Sequence, residues 1–211
     1  MHEYRIIGSG SLLREASHAL VLLHGRGGSP QDMLELARRF TDEDWHVAAP
    51  AATNGTWYPC GFMAPRHQNA PWLDSGIQVV HRLIEELHRD LPYDHIHIMG
   101  FSQGACLATE AAARHAQRYG GLFAFTGGLI GDVVQRAAYD GDFAGTPVYL
   151  SNSEDDPHVP LHRSKETLAV LDDMNARVTL DIFPGRPHLI TEDEIRRVQD
   201  MITATVGRIG R

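Results

Sequence analysis

Short, nearly continuous apolar runs alternate along the chain with longer stretches in which apolar residues recur every three to four positions. HALVLLHG (18–25) reads as a buried strand ending in a glycine turn. SPQDMLELARRF (29–40) predicts a helix: Ser29 stands as N-cap and Pro30 at the first helical position, with Met33, Leu34, Leu36, Ala37 and Phe40 on one face. WHVAAP (45–50) is a second strand, stopped by Pro50. DSGIQVVHRLIEELHRD (74–90) is strongly periodic, with Asp74 or Ser75 as cap. The pattern then predicts strand 95–100, helix 103–118, strand 121–128, strand 146–153, helix 162–175, strand 177–185 and a last helix from 191 to 206.

Strands alternating with helices imply right-handed crossovers and a mostly parallel sheet covered on both faces. Near-continuous apolar strands suit that burial. EYRIIGSG, at the start, is expected as an extra edge strand of antiparallel sense. Segment 51–73 breaks the alternation. Gly55, Pro59, Gly61, Pro65 and Pro71 make it a loop, yet it carries Trp57, Tyr58, Phe62, Met63 and Trp72. Long loops in compact domains are often functional, and aromatics there serve either a pocket or the core.

The 211 residues suit one sizeable core, so residues 1–211 are expected to form a single α/β domain. A net charge of −8 argues against binding nucleic acid through a basic surface. Two cysteines, Cys60 and Cys106, are too few for a disulfide-built secreted scaffold. MHEYRIIGSG has neither the basic start nor the apolar run of a signal peptide, and no apolar run approaches the ~20 residues that cross a bilayer. A cytoplasmic protein without stable membrane insertion is the expectation.

The chemistry concentrates at HIHIMGFSQGACLATEAAA (95–113), where an apolar strand meets an alanine-rich helix. Gly100, Ser102 and Gly104 fit G-x-S-x-G. Flanking glycines leave room for a sharp strand-to-helix turn that holds an exposed serine near a helix N-terminus. A serine hydroxyl needs a base oriented by a third group. SNSEDDPHVP offers Glu154, Asp155 and Asp156 at a strand end, and Asp156 is favoured because Pro157 restricts its backbone. His188, in FPGRPHLI, lies past the last strand, where an imidazole can swing over the sheet edge. His158 and His162 are expected as surface residues. Oxyanion donors should be the N–H of Gln103, after the serine, and an N–H from the glycine-rich LLHGRGGSP. That loop lacks G-x-G-x-x-G spacing and the P-loop lysine, which argues against a phosphate cradle.

Taken in order, LLHGRGG, WYP, PWLDSG, IMGFSQGA, SEDDPHVP and FPGRPHLI resemble the phospholipase/carboxylesterase family of α/β-hydrolases, which includes acyl-protein thioesterases. The likeness spans nearly the whole chain. It implies an α/β-hydrolase fold with Ser102 as nucleophile, Asp156 as orienting acid and His188 as base. It also implies the amides of Arg26 and Gln103 as oxyanion donors, no metal or other cofactor, and homodimers among relatives. The chain departs by carrying Arg26 where many relatives have an apolar residue.

The expected activity is a serine carboxylesterase acting on small or flexible esters. No large insertion is available for a lid. Trp57, Phe62, Met63, Trp72, Leu129 and Ile130 are candidates for its substrate pocket. A thioesterase or lysophospholipase would use the same triad, and a catalytically silent binding protein could keep the scaffold. His95 and His97 share one strand face, but no further ligand cluster accompanies them, and they are expected as packed or edge residues. Cys106 is expected as core packing.

Overall fold

A computed structural model describes residues 1–209. Seven strands form one sheet: β1 (Ile6–Gly10), β2 (His18–Leu23), β3 (Trp45–Pro50), β4 (Ile96–Phe101), β5 (Gly121–Phe125), β6 (Pro147–Ser153) and β7 (Arg177–Phe183). Their order is β1-β3-β2-β4-β5-β6-β7. Only β1 runs antiparallel, pairing Ile6 with Pro50 and Gly10 with His46; the remaining neighbours are parallel.

The period-two alternation of β2 explains the layers. Ala19, Val21 and Leu23 face one core with the buried residues of α3 (Trp72–His88) and α4 (Gln103–Arg114). Leu20 and Leu22 face the other with Met33 and Ala37 of α1 (Pro30–Ala37) and Ile195, Val198 and Ile202 of α6 (Glu192–Ile209). The elements α2 (Arg66–Asn69) and α5 (Leu161–Asp173) complete the helices. Every residue of β2 is buried, which is why the run is apolar throughout rather than alternating.

Several expected boundaries move, each for a tertiary reason. Helix α1 starts as predicted, with Ser29 and Asp32 in a reciprocal capping box. Helix α3 starts at Trp72, so neither Asp74 nor Ser75 is its cap; Leu73 is fully buried and draws the first turn into the core. Ser75 instead accepts the His2 N–H, and Asp74 pairs with Arg66. Helix α4 ends at Arg114 rather than 118, where the Tyr119 hydroxyl donates to the His115 carbonyl and the His115 ring stacks on His81. Strand β5 ends at Phe125, because Thr126 adopts a φ of 55° and turns the chain away. The loop expected over 51–73 ends at Pro71, before α3, and contains α2. Arg66 of α2 ties it to Glu110, a fully buried carboxylate on α4 that also accepts from Arg114, the Ile130 N–H and the Tyr139 hydroxyl.

At the opposite end of the sheet from the G-x-S-x-G turn, His97 in the first residues of β4 lies beside Trp45, Phe123 and His18, and His18 stacks on His95. His97 is fully buried, and among the described residues neither of its ring nitrogens has a hydrogen-bond partner. Burial pushes its pKa down to about 3 and that of His18 down to about 4, with neighbouring imidazoles adding to both. An unfolded histidine titrates near ~6.5, so below that pH the unfolded chain binds more protons than the folded one. Stability should therefore be full above this value and fall with acid, at up to ~1.4 kcal/mol per pH unit for each such histidine. Urea denaturation of His97→Leu at pH 7.5 and pH 5 should show a smaller loss on acidification than wild type. An equal loss would place the acid sensitivity elsewhere.

Candidate active site

Ser102 is positioned by the junction of β4 and α4. It sits at φ 53°, ψ −118°, the left-handed half of backbone space that a side chain rarely adopts. Glycine is required on both sides of it. A Cβ at Gly100 would lie 2.4 Å from the Gly104 carbonyl oxygen, and one at Gly104 would lie 2.1 Å from the Leu23 carbonyl oxygen. The turn is held by the Ser102 N–H to the Phe125 carbonyl at 3.0 Å and the Cys106 N–H to the Ser102 carbonyl at 3.0 Å.

His188 Nε2 lies 2.8 Å from Ser102 Oγ, and His188 Nδ1 lies 2.8 Å from Asp156 Oδ2. The other Asp156 oxygen accepts the N–H groups of His158 and Val159, each at 2.9 Å. Burial pushes the Asp156 carboxyl up. The bonds from His188, Val159 and His158 outweigh that and hold it below the usual carboxylate range. An ionised Asp156 accepts from Nδ1–H, which leaves His188 Nε2 free to accept the serine proton. Glu154 and Asp155 are exposed on the same turn.

The glycine-rich loop after β2 approaches the same point. His24 is buried, its Nε2 accepts the Ala52 N–H at 3.1 Å, and its Nδ1 therefore carries the proton donated to the Gly25 carbonyl at 2.8 Å. Burial lowers the His24 pKa, which favours this neutral form. Among the described residues, the backbone N–H groups of Arg26 and Gln103 make no backbone hydrogen bond. Both residues line the cavity over Ser102, and Gln103 opens the first turn of α4, where unpaired N–H groups favour an anion.

A family model for phospholipase/carboxylesterase matches residues 10–206. The chain belongs to the phospholipase/carboxylesterase family. It is thus a serine ester hydrolase with the α/β-hydrolase fold. It is 46% identical to a phospholipase/carboxylesterase of Dyadobacter fermentans whose crystal structure superposes with a TM-score of 0.93, covering 95% of this chain and 97% of that one. A probable carboxylesterase, SOBER1-like, of Arabidopsis thaliana is 23% identical over 220 residues, covering 93% of this chain and 83% of its own length. Acyl-protein thioesterase 1 of Neurospora crassa is 24% identical over 135 residues, 61% of this chain, and the match spans only 54% of the thioesterase.

Within this phospholipase/carboxylesterase fold the cavity at Ser102 measures about 410 Å³ and is lined by Tyr58, Phe62, Phe101, Cys106, His158 and Val159 together with Arg26, Gln103 and His188. Of the six pocket candidates, only Phe62 lines it. Trp57 is fully buried, donates its indole N–H to the His24 carbonyl and packs near Gly76 of α3. Leu129 and Ile130 belong to the core, where the Leu129 carbonyl accepts from buried Arg163. Met63 packs against that core, and Trp72 borders a separate hollow of about 180 Å³ with Thr53 and Pro59. His158, expected on the surface, is exposed yet borders the cavity, its ring edge-on to His188 at 4.8 Å. Cys106 is buried as expected but also forms part of the cavity lining. Burial pushes its thiol up to about 12, so it stays protonated.

Sequence reasoning missed Arg186, two residues before His188. It is almost fully buried and donates to Thr126 Oγ1 at 2.7 Å and to the Leu189 carbonyl, bracketing the histidine loop. It also lies 3.7 Å from Glu194, which is fully buried and caps α6 by accepting the Thr191 N–H and hydroxyl. The T-x-x-E spacing of Thr191 and Glu194 was the available signal. Arg186→Leu should destabilise the fold by ~3–5 kcal/mol, since it strands a buried carboxylate. The double variant Arg186→Leu/Glu194→Gln should recover part of that loss in thermal denaturation. No recovery would mean that the two charges are not coupled.

Proposed function

We propose that the protein is a carboxylesterase that cleaves small or flexible esters through Ser102, His188 and Asp156 by way of an acyl-enzyme. The observation that carries this reading is the unbroken hydrogen-bond chain from Ser102 Oγ through His188 to an ionised Asp156, at a strained elbow. His188 Nε2 takes the hydroxyl proton as Ser102 Oγ bonds to the ester carbonyl carbon. The carbonyl oxygen becomes an oxyanion and is met by the N–H groups of Arg26 and Gln103. As the tetrahedral intermediate collapses, the bond to the alcohol oxygen breaks and His188 hands it the proton. Water then repeats the sequence on the acyl-serine, releasing the acid and restoring the serine.

Small or flexible substrates follow from the size of the cavity, about 410 Å³, and from its exposed border at Gly61 and His158. A thioesterase reading uses the same groups and is favoured by the match to an acyl-protein thioesterase. Paired oxygen esters and thioesters of one acyl group separate the two by their kcat/KM ratio. We further read residues 1–211 as one hydrolase domain working in the cytoplasm, a reading supported by the two free cysteines.

Ser102→Ala should lower kcat on p-nitrophenyl acetate or butyrate by roughly 10⁴-fold or more while leaving the melting temperature near that of wild type. It should also abolish labelling by a fluorophosphonate. A folded Ser102→Ala protein with wild-type turnover would rule out this nucleophile. Asp156→Asn should leave Ser102 open to substrate but slow turnover by about 10³–10⁴-fold, because the imidazole loses the partner that fixes its tautomer.

A further inference from the structure

We infer that the Arg26 side chain is a positioning residue, which clasps the pocket wall at 56–62 onto the oxyanion loop instead of binding substrate by charge. The inference rests on the reading of Ser102 as the reacting centre. Three successive carbonyls converge on this one guanidinium: Nη2 donates to Tyr58 at 2.9 Å and to Cys60 at 2.8 Å, and Nη1 donates to Pro59 at 3.2 Å. Among the described residues no carboxylate pairs with Arg26, so its charge is met by carbonyl dipoles alone.

The clasp has a second jaw. Gln103 Nε2 donates to the same Tyr58 carbonyl at 2.9 Å, and Gln103 Oε1 accepts the Trp57 N–H at 2.9 Å and the Thr56 hydroxyl at 3.2 Å. The two residues whose backbone amides are assigned to the oxyanion therefore grip, with their side chains, one carbonyl of the wall. Asn69 closes the outer end by accepting the Cys60 N–H and donating to the Gly61 carbonyl, each at 2.9 Å. Segment 56–62 belongs to no strand or helix, so side chains supply the partners that a ladder would otherwise give. Tyr58, Gly61 and Phe62 present this segment to the cavity.

Loss of the guanidinium frees the wall at Pro59 and Cys60 but leaves the Ser102–His188–Asp156 contacts untouched, because none of them involves Arg26. The effect belongs in substrate binding more than in the chemical step. Arg26 is exposed, which makes its replacement compatible with folding. The test compares wild type, Arg26→Leu and Arg26→Lys by hydrogen exchange of peptides covering 56–62. It also compares KM and kcat on a neutral butyryl ester and a carboxylate-bearing ester of similar size.

In Arg26→Leu, exchange at 56–62 should quicken and KM should rise roughly tenfold for both esters, as expected on losing a set of charge-assisted hydrogen bonds. The kcat should change less than KM. Arg26→Lys should recover part of both effects, since an ammonium lacks the planar fork that reaches all three carbonyls. Unchanged exchange at 56–62 overturns the clasp, and so does a KM defect confined to the anionic ester, which would mean that the guanidinium reads substrate charge. If wild type neither labels with a fluorophosphonate nor turns over either ester, the hydrolase reading of the site fails. The exchange comparison then still decides the clasp.

Discussion

The close approach of α4 to the end of β2 is the contact on which the site depends. With the Gly104 Cβ position only 2.1 Å from the Leu23 carbonyl oxygen, no other residue fits without moving a strand or a helix. The chain leaving β2 at Leu23 must therefore pass directly beside the first turn of α4. His24, Gly25 and Arg26 are delivered to Ser102 by that passage, and the two amides assigned to the oxyanion come from segments that packing already forces together. Backbone strain at Ser102, of order 1–3 kcal/mol for such a conformation, is held in place by the bonds to Phe125 and Cys106 and by the buried sheet beneath.

Apolar packing and polar contacts divide the structure between them. The sheet and its helices are held by the two apolar cores, whereas the loops around Ser102 add side-chain hydrogen bonds to the packing of residues such as Trp57 and Val159. Arg186 brackets His188, Glu110 receives Arg66, and Arg26, Gln103 and Asn69 secure the pocket wall. A loop with no ladder needs such contacts, beside buried aromatics such as Trp57 and Tyr58, to give it one conformation. Loss of the exposed Arg26 contacts would loosen a single loop, whereas loss of Arg186 strands the buried Glu194 and weakens the fold as a whole.

Periodicity alone makes the layered fold legible, because a strand buried on both faces and an amphipathic helix leave different patterns. Boundaries slip where a tertiary contact overrides local preference, as Leu73 does at the start of α3 and Tyr119 does at the end of α4. Ser102 can be singled out because its glycines have a steric cause that local sequence displays. The pocket is not legible in the same way. Trp57, Leu129 and Ile130 are as hydrophobic as any pocket lining, but hydrophobicity does not separate a residue facing a cavity from one facing the core. The Arg26 side chain is opaque for the opposite reason: its partners are carbonyls from a distant segment, which leave no mark on spacing, and Arg186 is approachable only through the T-x-x-E box that marks its neighbour Glu194.

The wiring of His24 carries a consequence for how the protein meets acid. Its Nε2 accepts the Ala52 N–H and its Nδ1–H serves the Gly25 carbonyl, so the loop is shaped around an uncharged ring. A second proton on that ring would set donor against donor at Ala52 and turn a holding contact into a repulsive one. Acid can thus disturb the loop over Ser102 through a residue outside the proposed triad, one that burial keeps neutral.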